Sequence, residues 1–241
     1  MKKKLILTPF VLAFLSLNLS ANSDLLQAYE KEVDSTFLNP VKLKSIDEDY
    51  CQKGLVEACI SKANTLKELK NFEKQYKTLC DNNDKQACSY ESLILLNKIN
   101  IFTREALKQK DESKIQSAKQ SYDELSQVLN QNQNLNIELY KAYSVLSSSM
   151  QSLKLKEDKA QRLEQAINGA NNIINSYEKE PDSKDKFLKL YSAYNFLSTL
   201  GSGAYDKVFL PNESIENLKT KHKEYDQKAK SYLNNFLKSK S

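Results

Sequence analysis

Four cysteines, one histidine and a Ser-x-x-Lys stretch carry the obvious chemistry in this sequence. Cysteine offers a thiolate nucleophile, a metal ligand or half of a cystine. Cys51 and Cys59 stand eight positions apart, as do Cys80 and Cys88, and the second pair repeats the first at an offset of 29. Zinc sites place paired cysteines about two to four residues apart, and thioredoxin-like sites need Cys-x-x-Cys, so neither chemistry fits. His222 is alone, which excludes a histidine-based metal cluster, and a Cys–His nucleophile would require a free thiol. The stretch "SKDK", Ser183 to Lys186, matches the Ser-x-x-Lys pattern of serine enzymes that react with penicillins, but the companion Ser-Asp-Asn and Lys-Thr-Gly motifs are absent. Ser183 follows Pro181-Asp182 and reads as an ordinary helix N-cap. The carboxylates are scattered as on solvated helices, and no glycine-rich phosphate loop occurs. The residues therefore point to a protein that is not an enzyme, with no catalytic set, cofactor or metal.

The elements that hold the cysteines follow from composition. Gly and Pro each occur only four times, too few for a sheet protein with many tight turns, which argues for helices. Two cysteines eight apart on one continuous helix would lie about 12 Å apart along its axis. A disulfide needs Cα atoms within about 7 Å. If the pairs are Cys51–Cys59 and Cys80–Cys88, the chain must reverse within each interval. Gly54 in the first interval and Asn82-Asn83 in the second can take the left-handed conformation, and Asp84 can cap the next helix. Val56, Cys59, Ile60, Ala63 and Leu66 fall at helical spacing, as do Phe72, Tyr76, Leu79 and Cys80, with "KELKN" between them polar enough for a turn. Four cysteines allow three connectivities, and spacing alone leaves the other two open.

The pattern of Cys, seven residues, Cys, with Gly or "NN" in the turn and Ala before the second cysteine, covers Asp49 to Leu93. It resembles the cysteine-rich Sel-like repeats of secreted bacterial proteins, which are related to tetratricopeptide repeats. The resemblance implies an all-α fold of stacked helical hairpins and a front part pinned by two short-range disulfides, and no binding residues are carried over from it. Some proteins of that type are linked to penicillin binding, which makes a hydrolase acting on cell-wall peptides or β-lactams, through Ser183 and Lys186, an alternative function.

A second repeat lies further on. "LYKAYSVLS", residues 139–147, matches "LYSAYNFLS", residues 190–198, at six of nine positions, and "YESLILL", residues 90–96, reads as a weaker third copy. A small residue between large ones at helical spacing lets a neighbouring helix approach. Thr103 is expected to cap a long helix running to Leu129. "NQNQNLN" is a polar turn, and helices follow over residues 137–152 and 157–177. Leu163, Ala166, Ile167, Ala170, Ile173, Ile174 and Tyr177 form an apolar stripe through Asn168-Gly169, which reads as close helix packing rather than a turn. Pro181 breaks the chain, residues 201–214 are irregular, and a last helix runs from Asn212 towards Lys238. Tyr140, Tyr143, Tyr191 and Tyr194 are the partner-binding candidates, since tyrosine presents a rigid apolar ring and a polar tip. Packing between helices is the competing reading.

At the N-terminus, "MKKK" followed by "LILTPFVLAFLSL" and "LSANS" predicts a signal peptide over residues 1–23, cleaved after Ala21 or Ser23. The apolar run falls short of the about 20 residues a membrane span needs, so no stable span is expected after cleavage. The formal charge of +5 falls by the three lysines of that segment, 5 − 3 = +2, which gives no reason to expect nucleic acid. Residues 218–241 keep seven lysines, read as a solvated helix face and fraying tail, with attraction to an acidic partner or envelope polymer as the alternative. The expected organisation is a disulfide-pinned Sel-like part over 24–101 and a tetratricopeptide-like part with longer helices over 102–241. The expected function is a non-catalytic, periplasmic or secreted protein that binds or scaffolds an envelope protein. A periplasmic holdase is a further alternative.

Overall fold

The computed structural model describes residues 23–33, 39–132, 135, 137–203 and 213–239. The expected signal segment, part of the polar turn at 130–136 and most of the irregular stretch at 201–214 lie outside the described residues. Every regular element among the described residues is a helix, and none is a strand. In chain order they are α1 (residues 23–33), α2 (Pro40–Gln52), α3 (Val56–Lys62), α4 (Leu66–Asp81) and α5 (Lys85–Gln109). There follow α6 (Glu112–Gln131), α7 (Leu139–Ser152), α8 (Ala160–Tyr177), α9 (Lys184–Gly201) and α10 (Glu213–Lys238). No helix among the described residues is long and apolar enough to cross a membrane.

The chain divides into two compact units between Lys62 and Ala63. In the first, Tyr29, Ile46, Tyr50, Leu55 and Ala58 form a small core. The Tyr29 hydroxyl donates to Asp47 at 2.7 Å and the Tyr50 hydroxyl to Glu32 at 2.9 Å, so each buried ring keeps its polar tip satisfied. Gly54 reverses the chain at φ 90° with nothing near its missing side chain, so the demand there is conformational. The reversal brings Cys51 and Cys59 to a Cα separation of 4.6 Å, and they are disulfide-bonded.

In the second unit the same operation is performed without glycine. Asn83 takes φ 64°, Asp84 accepts from the Ala87 amide at 3.0 Å, and Cys80 and Cys88 are bonded across 4.5 Å between their Cα atoms. No free cysteine remains. Helix α5 packs against α4, α6 and α7, α8 packs against α7 and α9, and α10 lies along α9. The main core gathers Ile99, Ile115, Tyr122, Leu125, Tyr143, Leu146 and Leu197 with their neighbours.

Three expected boundaries move. "KELKN" is not a turn but part of α4, which starts after Thr65. Thr65 accepts from the Glu68 amide at 3.4 Å while Glu68 reaches back to the Asn64 amide at 2.7 Å, a reciprocal cap that starts the helix earlier. Thr103 caps nothing: its buried hydroxyl donates to the Ile99 carbonyl at 2.8 Å, and α5 continues to Gln109. The chain turns instead at Lys110, φ 54°, and Asp111 caps α6 through the Ser113 amide at 2.9 Å. The division expected between residues 101 and 102 therefore falls inside α5. Pro181 and Ser183 act as expected, with Ser183 Oγ accepting from the Lys186 amide at 3.1 Å.

Candidate functional site

Helix α8 carries two faces of different character. Leu163, Ala166, Ile167, Ala170, Ile173 and Ile174 are buried, and they supply the apolar area that holds the helix in place. The adjoining face carries Gln165, Asn168, Asn172 and Asn175 at spacings of three, four and three, which aligns them along one side. Asn is a poor helix former, roughly 0.5–0.7 kcal/mol worse than Ala, and Gly169 in the same turn costs about 1 kcal/mol. These residues lower the intrinsic stability of α8 where they stand.

The amides border a groove of about 580 Å³. Its opposite wall comes from Leu129 and Asn130 of α6, Leu135 and Ile137 of the connecting segment, and Leu139 of α7. None of the described lining residues is charged, although 28% of the chain is Asp, Glu, Lys or Arg. None is aromatic. The side-chain amides of Gln165, Asn168, Asn172 and Asn175 have no hydrogen-bond partner among the described residues, so their donors and acceptors are free to a ligand.

Gly169 is one of the residues lining this groove. A methyl group there would meet only Leu139 Cβ, at 3.6 Å, which is ordinary contact. The close packing expected at Asn168-Gly169 is therefore not what requires glycine. Nor is backbone conformation, because α8 runs through the position as regular helix. What glycine does leave is the space of one methyl group between α8 and Leu139.

No protein-family model matches the chain, and no curated protein or solved structure matches it.

The expected partner-binding tyrosines sit elsewhere. Tyr140, Tyr143 and Tyr194 are at most 2% exposed, and Tyr191 is partly buried against the same core. Tyr140 packs on Phe196 at 5.5 Å between ring centroids, Tyr143 on Tyr122 at 5.9 Å, and Tyr194 stacks on Tyr232 at 5.9 Å. Two of the polar tips are spent internally: Tyr140 donates to Glu138 and Tyr194 to Glu178. Burial, helped by the adjacent carboxylates, pushes the hydroxyls of Tyr140, Tyr143 and Tyr194 well above their ordinary range. The three buried rings leave no tip for a partner, and the groove they were expected to line is a core. Repetition at an offset of 51 marks packing positions here.

Ser183 and Lys186 do not form a nucleophile and base. Ser183 Oγ caps α9, while Lys186 Nζ donates to the Glu180 carbonyl at 2.6 Å and to Asp182 at 3.1 Å. His222 is half-buried, with Nδ1 3.0 Å from the Lys219 carbonyl. Among the described residues no group of three His, Cys, Asp or Glu is placed to hold a metal ion.

The carboxylates are not all on solvated faces, as their scatter along the chain suggests. Arg162 of α8 makes a two-pronged contact with Asp123 of α6, at 2.7 and 2.9 Å, and reaches Glu157 at 2.8 Å and Asp158 at 2.7 Å. Lys119 adds a bond to Asp158 at 2.9 Å. Glu157 Oε1 also accepts from the Asp158 and Lys159 amides at the start of α8, where no side-chain cap is present. Burial, then the side-chain carboxyl of Asp158, push Glu157 up against the pull of Arg162 and Lys119. In Asp158 burial acts the same way but is outweighed by bonds from Glu157, Lys119 and Arg162, which hold it well below the usual range. Positive and negative groups face each other, so the cluster locks α6 to the start of α8, with Glu157 Oε2 the one buried oxygen of the cluster that has no hydrogen-bond partner among the described residues.

Glu91 of α5 is different. It is 3% exposed and its Oε2 has no hydrogen-bond partner among the described residues. Burial first, then the Glu73 carboxylate, push it up to about 7, against the opposing pull of Lys77 and Lys98.

Proposed function

We propose that the protein is a non-catalytic binding protein of the bacterial cell envelope, which holds an envelope protein in the groove between α6, α7 and α8. One observation carries this reading: a groove lined by unengaged amides, aliphatic side chains and two serines, with no charge among its described lining residues. Such a surface can exchange hydrogen bonds with a neutral polar ligand, and its two hydroxyls, Ser126 and Ser176, have no acid or base beside them among the described lining residues. An oxidising compartment, periplasmic or extracellular, is supported by both cystines, which persist there and are rare in cytosolic proteins. The cysteine spacing supports kinship with cysteine-rich Sel-like and tetratricopeptide-like repeat proteins as part of the same proposal.

The test is a photo-crosslinking residue introduced at Gln165, with Gln116 on α6 as the control position, in intact cells. The expected result is one dominant adduct with an identified envelope protein at 165 and none at 116. Equal labelling at both positions, or none at 165, removes the groove from consideration. Acylation of the wild-type protein by a labelled penicillin, abolished in Ser183→Ala, would replace this reading with the hydrolase.

A further inference from the structure

The chemistry of the groove says more than that a partner exists. Building on the binding role proposed above, we infer that the groove takes an extended, uncharged peptide segment, its backbone held by the amides of Gln165, Asn168, Asn172 and Asn175.

Four features converge on this. The four residues span ten positions of α8, about 15 Å at 1.5 Å per residue, which is the length of four to five residues of extended chain. Each amide offers one acceptor and two donors, matching the alternating C=O and N–H groups of a peptide backbone without regard to its sequence. Their steps of about 4.5–6 Å are shorter than the roughly 6.6–6.8 Å two-residue repeat of an extended strand, so a strand of that length meets them at two or three of its own positions. The aliphatic residues facing them, such as Leu129, Ile137 and Leu139, can receive apolar side chains that alternate with the hydrogen-bonded positions.

The remaining ligand classes fit less well. An anionic segment, a nucleic acid or a phosphate would lose water without meeting a cation, and a basic segment without meeting a carboxylate. A glycan would gain its hydrogen bonds but would find no aromatic ring on which to lay a sugar face. Gly169 fits the same reading. It weakens the helix, is demanded by neither packing nor backbone angle, and lines the groove beside Leu139, where a methyl group would stand 3.6 Å from Leu139 Cβ and take up space between α8 and α7.

The experiment uses the full chain and two pools of capped twelve-residue peptides. One is built from Ser, Thr, Asn, Gln, Ala, Val and Leu, and the other is the same with Lys or Asp at every third position. A third arm uses oligomers of N-acetylglucosamine. Retention is compared for wild type, Asn168→Ala/Asn172→Ala and Gly169→Ala, with thermal midpoints measured in parallel. The expected outcome is retention of the uncharged pool, at least tenfold weaker in the double variant and weaker in Gly169→Ala, with midpoints no lower than wild type. Because both changes raise helix propensity, loss of binding cannot be blamed on unfolding. Equal retention of the two pools, unchanged binding by the double variant, or preference for the sugar oligomers overturns the inference. If no peptide is retained while crosslinking at Gln165 still yields an envelope protein, the peptide mode falls and the binding reading stands. Failure of both measurements ends both.

Discussion

Replacing Glu91 by Gln should make the protein more stable above neutral pH and leave it unchanged in acid. The carboxyl is 3% exposed on α5, with Glu73 and Lys77 of α4, Lys98 of α5 and Glu124 of α6 as its charged surroundings. Lys98, on the same helix, already donates to Glu73 at 2.7 Å. A rise from the ordinary 4.5 to about 7 means the folded chain holds this proton more tightly than the unfolded chain does. Stability from the neutral carboxyl is therefore fully present below about 4.5 and is lost as pH rises through 7. At 1.36 kcal/mol per pH unit the difference reaches about 3 kcal/mol as a ceiling, or roughly 6–12 °C in melting temperature for a chain of this size. Glutamine fills the same space without ionising. Urea titrations followed by helical circular dichroism at pH 4.5, 6, 7 and 8 should show the two proteins coinciding at the acid end and diverging towards pH 8. A Gln variant equal to or less stable than wild type at pH 8 would refute the reasoning, since it would mean the carboxylate is solvated or paired when ionised.

Other changes test the packing. A methyl group at Gly201 would sit 2.4 Å from the Leu218 carbonyl oxygen, so Gly201→Ala should push α10 off α9 and cost about 1–3 kcal/mol in denaturant titration, whereas Gly169→Ala should gain about 1 kcal/mol. Arg162→Met leaves Glu157 and Asp123 without their shared partner and should cost about 3–5 kcal/mol, measured by the same titration. Tyr140→Ala should cost about 3–5 kcal/mol, and Tyr191→Ala, at a partly exposed ring, clearly less by calorimetry. Reduction should cost about 2–3 kcal/mol per disulfide, and non-reducing peptide mapping should recover Cys51 with Cys59 and Cys80 with Cys88.

What could be read from the sequence was whatever is decided within a few residues. Gly54, Asn83, Asp84, Pro181 and Ser183 set their turns and caps through their own conformational limits or short side chains, and the two cystines follow from those reversals. Lys110 gave no such sign, because a long side chain in the left-handed region is imposed by the helices on either side. Thr103 misled because a threonine hydroxyl serves equally as a cap or as a bond to the carbonyl four residues back. The tyrosine pairs showed their helical face but not which side of it met a neighbour. The groove needs three helices and a connecting segment to converge, so it was out of reach as a cavity. Its one local trace was the run of Asn and Gln at spacings of three and four beside a mid-helix glycine. The buried charges left none, since Arg162 and Asp123 are 39 residues apart and each looks like an ordinary surface residue.

Both cystines close loops between cysteines only eight residues apart, and one lies on each side of the division after Lys62. Topologically the oxidised chain remains a simple string with two small rings on it. Each ring hides about 2 nm of contour, taking roughly 3.3–3.6 Å per residue. Pulled from its ends, the protein can therefore be drawn out almost as far oxidised as reduced, and no helix is tied to a distant one. A backbone cut between Lys62 and Ala63 would leave the two parts with no covalent link in either redox state, so a single nick there yields two separate chains without any reductant.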